Sequence, residues 1–175
     1  MRSMRGACFI AIVLVSGIAS AAPARRPARP AHPTAPAAPG TPEPAWALDH
    51  DKDGTILYYG LPNRENLVIA FSCVPRSGDI SIRVPDTSGK TTMEKSQSLS
   101  LTIGGVRSSF AGTVSADEKT GGVMLAFTVT ARNPLFTALG GPGGMRIEGK
   151  GFTKVVPLKA IGGKLNSFLS ACKRA

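Results

Sequence analysis

Between Trp46 and Pro157, apolar and polar residues alternate in short runs separated by turn residues, the period-2 signature of half-buried strands. Leu67, Ile69, Phe71 and Cys73 share one face of such a run. Ile80, Ile82 and Val84 share the next, followed by Leu99, Leu101 and Ile103, and by Val123, Leu125, Phe127 and Val129. Trp46 and Leu48 open the series, Ile56 and Tyr58 continue it, and two runs near 145–150 and 152–157 close it. The punctuation agrees: Asp51-Lys52-Asp53-Gly54, Gly60–Glu65, Pro75–Gly78 and Ser115–Gly122 are turn-rich, and Gly104-Gly105 suits the positive φ angles of a tight hairpin. Eight or nine short strands with regular turns predict a mainly β fold, an antiparallel β-sandwich or small barrel.

The period changes in two places. Asn133-Pro134 offers a capping side chain and a proline for a first helical turn, which predicts a short helix ending near Gly140. Leu165, Phe168, Leu169 and Cys172 stand at i, i+3, i+4 and i+7, the apolar stripe of a terminal amphipathic helix. Cys172 therefore lies on a buried helical stripe, as Cys73 lies on a buried strand face. The two readings are independent, and together they predict a disulfide pinning the helix to the sheet.

The third cysteine, Cys8, falls in residues 1–21, which read as a secretory signal peptide. Arg2 and Arg5 are its positive start, Ala7–Ala19 its apolar stretch and Ala19-Ser20-Ala21 its cleavage residues. Cleavage leaves two cysteines in an oxidising compartment, where they pair. A membrane-spanning helix needs about 20 apolar residues, and this run is shorter, so no transmembrane segment is expected after cleavage. A lipoprotein cysteine would follow the apolar run, whereas Cys8 precedes it. Residues 22–45 are dominated by Ala and Pro and read as a disordered spacer, leaving 46–175 as a single domain. The expected location is periplasmic or secreted, in a bacterium.

Charge is uneven along that domain. Residues 46–144 carry 9 Lys and Arg against 9 Asp and Glu. Residues 145–175 carry Arg146, Lys150, Lys154, Lys159, Lys164, Lys173 and Arg174 against Glu148 alone. These seven cations are the expected surface for an anionic partner, an envelope component or an acidic protein. Nucleic acid is not expected as a partner of an exported chain.

The catalytic and metal signals are weak. Asp49, Asp51, Asp53 and Gly54 resemble the front of a calcium loop, but Gly60 stands where a bidentate Glu is needed, so a hairpin turn accounts for them better. His50, the domain's one histidine, has no nucleophile motif beside it. Asp86-Thr87-Ser88-Gly89 has one residue too many for an aspartic-protease motif, and no second copy follows. Gly140–Gly144 lacks the Lys-Ser/Thr of a phosphate loop. Adjacent Tyr58 and Tyr59 face opposite sides of a strand, so one of them is expected to face solvent or a partner. No catalytic residue, metal or cofactor is assigned.

The residues Trp46-x-Leu48, Leu57-Tyr58-Tyr59-Gly60-Leu61-Pro62 and Phe71-Ser72-Cys73, with Cys172 in a closing helix, resemble a group of small exported alphaproteobacterial proteins with no assigned activity. The resemblance spans most of 46–175 and implies an exported two-cysteine β domain, with no catalytic residue to carry over. The expected function is non-enzymatic binding of an envelope component or protein partner. The alternative is inhibition of an envelope-directed enzyme such as a lysozyme, through a loop such as Gly60–Glu65 or Pro75–Gly78. The sequence is silent on oligomeric state.

Overall fold

The computed structural model describes residues 42–93, 96–118 and 120–173. The expected signal peptide, most of the expected spacer and Arg174 lie outside these residues.

Each alternating run becomes a strand: β1 (Ala45–Asp51), β2 (Gly54–Gly60), β3 (Ile69–Cys73), β4 (Asp79–Asp86), β5 (Gln97–Ile103), β6 (Val106–Asp117), β7 (Gly122–Thr130), β8 (Gly144–Gly149) and β9 (Phe152–Pro157). All pair antiparallel in the order β1-β2-β3-β4-β7-β6-β5-β8-β9. The two layers of the expected sandwich are halves of one curled sheet. Strand β6 belongs to both: Val106–Gly112 pair with β5, and Thr113–Asp117 pair with β7. The bend falls at Gly112, where a Cβ would sit inside 3.0 Å of the Ala126 carbonyl oxygen and the Phe127 ring. A side chain there would hold β6 off β7, so the corner requires glycine.

The curl encloses the core, in which Phe71, Ile80, Ile82, Leu99, Leu101, Leu125, Met145 and Ile147 are fully buried. It also brings the two outer strands together, because Trp46 Nε1 on β1 donates to the Pro157 carbonyl on β9 at 2.7 Å. Gly104 and Gly105 join β5 to β6 with φ of 55° and 83°, as the two-residue hairpin demands. Strand β6 runs to Asp117, so the expected turn at Ser115–Gly122 is shorter, and Leu67 lies just before β3.

Strand β2 corrects the sequence reading. Ile56 and Tyr58 were expected to continue the apolar series, yet Leu57 and Tyr59 face the core, opposite Leu48 and Trp46. The run Ile56-Leu57-Tyr58-Tyr59 is apolar throughout, so its own pattern does not choose a face. Cross-strand pairing with β1 decides it.

Helix α1 (Pro134–Leu139) starts where expected, with the Asn133 side chain accepting from the Leu135 N–H at 3.0 Å. Helix α2 (Gly162–Cys172) buries Leu165, Phe168 and Cys172 and packs on β1 and β2. The Cys73–Cys172 disulfide is formed, with a Cα–Cα distance of 5.8 Å. Beside it, the Arg76 N–H donates to the Ala171 carbonyl and the Gly78 N–H to the Cys172 carbonyl, each at 3.0 Å. The β3–β4 turn thus caps the last turn of α2.

The bridge closes a loop of 99 residues. Replacing both cysteines by Ser is expected to cost about 2–4 kcal/mol in denaturant unfolding, and an unchanged midpoint would refute the role assigned to it. Gly112→Ala is expected to cost about 1–3 kcal/mol by forcing the corner apart, read as a lower thermal midpoint with the disulfide intact.

Candidate functional surface

Three polar constellations are built on this frame. The first is the β1–β2 hairpin. Arg64, from the β2–β3 loop, reaches Asp49 Oδ2 at 3.3 Å and Asp51 Oδ2 at 3.4 Å. The Asp53 N–H donates to Asp51 Oδ1 at 2.9 Å and, with Arg64, holds that carboxyl below its ordinary range. Two carboxylates of the calcium-like motif are therefore engaged by a guanidinium. Arg64 also lies over the Tyr58 ring, 6.0 Å from its centre. Burial raises the Tyr58 hydroxyl pKa, with the Asp49 carboxylate adding to the effect. Tyr59, on the opposite face, packs on Trp46 with ring centres 5.5 Å apart. Neither tyrosine is the open platform expected of one of them: Tyr58 is buried beneath Arg64, and Tyr59 is half-buried in the core.

His50 pairs across the hairpin with Thr55, Nδ1 to Oγ1 at 3.1 Å. The Thr55 hydroxyl is buried, so this pair presents no nucleophile to solvent. Of the two loops expected to face a target, Gly60–Glu65 carries Arg64, and Pro75–Gly78 holds the end of α2. Both are anchored to the domain.

The second constellation surrounds Asp86, only 3% exposed at the end of β4. Its carboxylate accepts from Thr91 Oγ1 at 2.6 Å, and from the Ser88 N–H and Ser88 Oγ at 2.9 Å each. Burial pushes this acid upward, but those three donors and the nearby Lys154 ammonium outweigh it, so its pKa lies below the ordinary 3.8. The Asp-Thr-Ser-Gly segment is thus a self-satisfied loop anchor. Lys154 comes from β9, opposite Ile147, so it points to the inner side of the sheet. There Nζ donates to the Pro85 carbonyl and lies over the Phe152 ring. Burial lowers its pKa, with Asp86 opposing.

Lys154 therefore leaves the expected anionic-partner surface. The other described members are spread over several elements as well. Arg146 and Lys150 lie on or beside β8, whereas Lys159 is exposed after β9. Lys164 folds back from α2 onto the Ala160 carbonyl at 3.4 Å, and Lys173 follows α2, beside a cavity shared with Arg132 and Asp79. Nearness in sequence was a poor guide here, because these residues are carried on or beside β8, on the segment after β9 and at the two ends of α2.

The third constellation is the outer face of β6, β5, β8 and β9. Directly opposed residues share a face, so the register aligns Arg107, Thr102, Arg146 and Val155 in one row, and Ser109, Ser100, Glu148 and Thr153 in the next. Glu148 accepts from Arg146 Nε at 3.0 Å and lies 3.8 Å from an Arg107 Nη. That same Arg107 Nη donates to Ser100 Oγ at 3.1 Å, and Ser100 and Ser109 share a hydrogen bond at 2.9 Å. A shallow groove of about 390 Å³ runs beside them, lined by Ser98, Ser100, Arg107, Glu148 and Lys150. Sequence reasoning missed Arg107 because it sits in the charge-balanced part of the chain. The signal that finds it is strand register.

Fold and site together define a disulfide-pinned antiparallel β domain with a hydroxyl-rich, arginine-bearing outer face. No family model matches the chain, and no curated protein matches it by sequence. Among solved structures, invasion associated protein B from Bartonella henselae is similar in fold, with a TM-score of 0.52 at 13% identity over 75% of this chain and 97% of that one. Among the described residues, no helix is long and apolar enough to cross a membrane.

The Asp86 anchor has a pH signature. Because its native pKa is depressed, the stability it contributes is full above 3.8 and is lost as pH falls through the lower native value. Asp86→Ala is expected to cost about 2–3 kcal/mol at neutral pH and to flatten the acid limb of a stability–pH profile measured by urea unfolding.

Proposed function

We propose that this chain is an exported, non-enzymatic binding domain that engages an anionic component of the bacterial envelope. The observation that carries this reading is the charge of the outer face just described: Arg107, Arg146 and Lys150 gather around one carboxylate, Glu148. Both arginines are more than half exposed, at 62% and 57% of their side chains. Such a face attracts an anion at long range, and salt weakens the attraction. The disulfide supports an oxidising location. The signal-like N-terminus, and the likeness to exported alphaproteobacterial proteins, support the same address.

The test is co-sedimentation of the purified protein with envelope fractions across a salt series. A version with Arg107, Arg146 and Lys150 changed to Glu runs beside it. Retention that fades with rising salt and is lost in the changed protein is expected. Stoichiometric inhibition of a lysozyme at moderate salt, with no envelope retention, would overturn this reading in favour of an inhibitor.

A further inference from the structure

Resting on that reading, we propose that the Arg107–Thr102–Arg146 row is a binding site for a polysaccharide carrying anionic oxygen groups, phosphate or carboxylate. The two arginines stand on β6 and β8, either side of β5. Adjacent strands lie about 4.8 Å apart, so their backbones are held about 10 Å apart by the ladder itself. The spacing is therefore preset, and a ligand loses little by meeting it.

Each guanidinium is also held by neighbours on the same face. Glu148 accepts from Nε of Arg146 and not from its two Nη groups, and the Arg146 side chain stays 57% exposed. Ser100 takes one Nη of Arg107 and is braced in turn by Ser109. The planar fork that remains matches the paired oxygens of a carboxylate or phosphate. One carboxylate between two guanidiniums leaves the row positive, whereas a second acid would have cancelled it.

Hydroxyls separate a glycan from the other anionic candidates. Ser98, Thr102, Ser109 and Thr153 lie on the same face by register, with Ser100 buried among them and bonded to Arg107 and Ser109. A hydroxyl both donates and accepts, which suits a ligand that is itself rich in hydroxyls. A membrane surface would call for an apolar stripe to enter the headgroup boundary. In these two rows Val155, 69% exposed, is the single large apolar residue. A protein partner would call for an aromatic or aliphatic anchor at the centre. Here the centre is Thr102, flanked by charge.

Calorimetry on the full chain tests the site with three polysaccharides: polygalacturonate for carboxylate, a phosphorylated mannan for phosphate, and neutral dextran. Vesicles of phosphatidylglycerol form a fourth arm. Arg107→Glu and Arg146→Glu are each expected to weaken binding of at least one charged polysaccharide by about tenfold. Lys52→Glu and Arg132→Glu, which make the same charge change on other exposed surfaces, are expected to stay within about threefold. Arg146→Lys keeps the charge without the fork and is expected to fall between. Thermal melts confirm that each variant is folded.

Equal losses in all four Glu variants would reduce the effect to net charge and overturn the site. Vesicle or envelope binding without polysaccharide binding would overturn the glycan assignment and leave the envelope reading standing. Silence from every probe and from envelope fractions would overturn both.

Discussion

The rest of the structure depends on the junction where β3, the turn after it and the end of α2 meet. Three links converge there: the Cys73–Cys172 bridge, and the backbone bonds from Arg76 and Gly78 to the last carbonyls of the helix. Helix α2 makes its contacts mainly on β2 and β1 and sinks Phe168 and Leu165 into the core. An 11-residue helix has little intrinsic stability in water. Fastened at its C-terminal end, it needs only to lie down along the sheet. The Gly78 carbonyl also accepts from the Ala131 N–H, so the same turn steadies the approach to α1.

Curling a nine-stranded sheet leaves two outer strands, each a template for unwanted pairing. Here β1 is joined to β9 through the Trp46 indole, and β9 turns Lys154 inward toward Pro85 and Asp86. Lys154 thus serves the domain's own closure, while Arg146, one strand away and facing out, remains available. Alternation along β8 and β9 separates the two roles.

What the sequence made legible follows from how local each signal is. The capped start of α1, the Gly104-Gly105 hairpin and the stripe of α2 are written within a few residues, and the structure has all three. The disulfide was readable because each cysteine sat in its own periodic pattern. The face chosen by β2 was not, since a continuous apolar run leaves the choice to its neighbour. The candidate surface was half legible: Arg146 and Lys150 stood out by local charge, whereas Arg107 joins them only through pairing across β5. The same non-locality hid the inward turn of Lys154, which depends on where the curl carries β9.

The junction also sets an order of events. A ribosome delivers Cys73 and the turn at Arg76 and Gly78 long before their helical partners, which arrive 99 residues later. Until then the growing chain can pair its early strands, but β1 and β2 lack the helix that covers them, and the thiol of Cys73 waits without its mate. The junction therefore cannot close before α2 has been made. The covalent part of that junction, in turn, forms only where thiols oxidise.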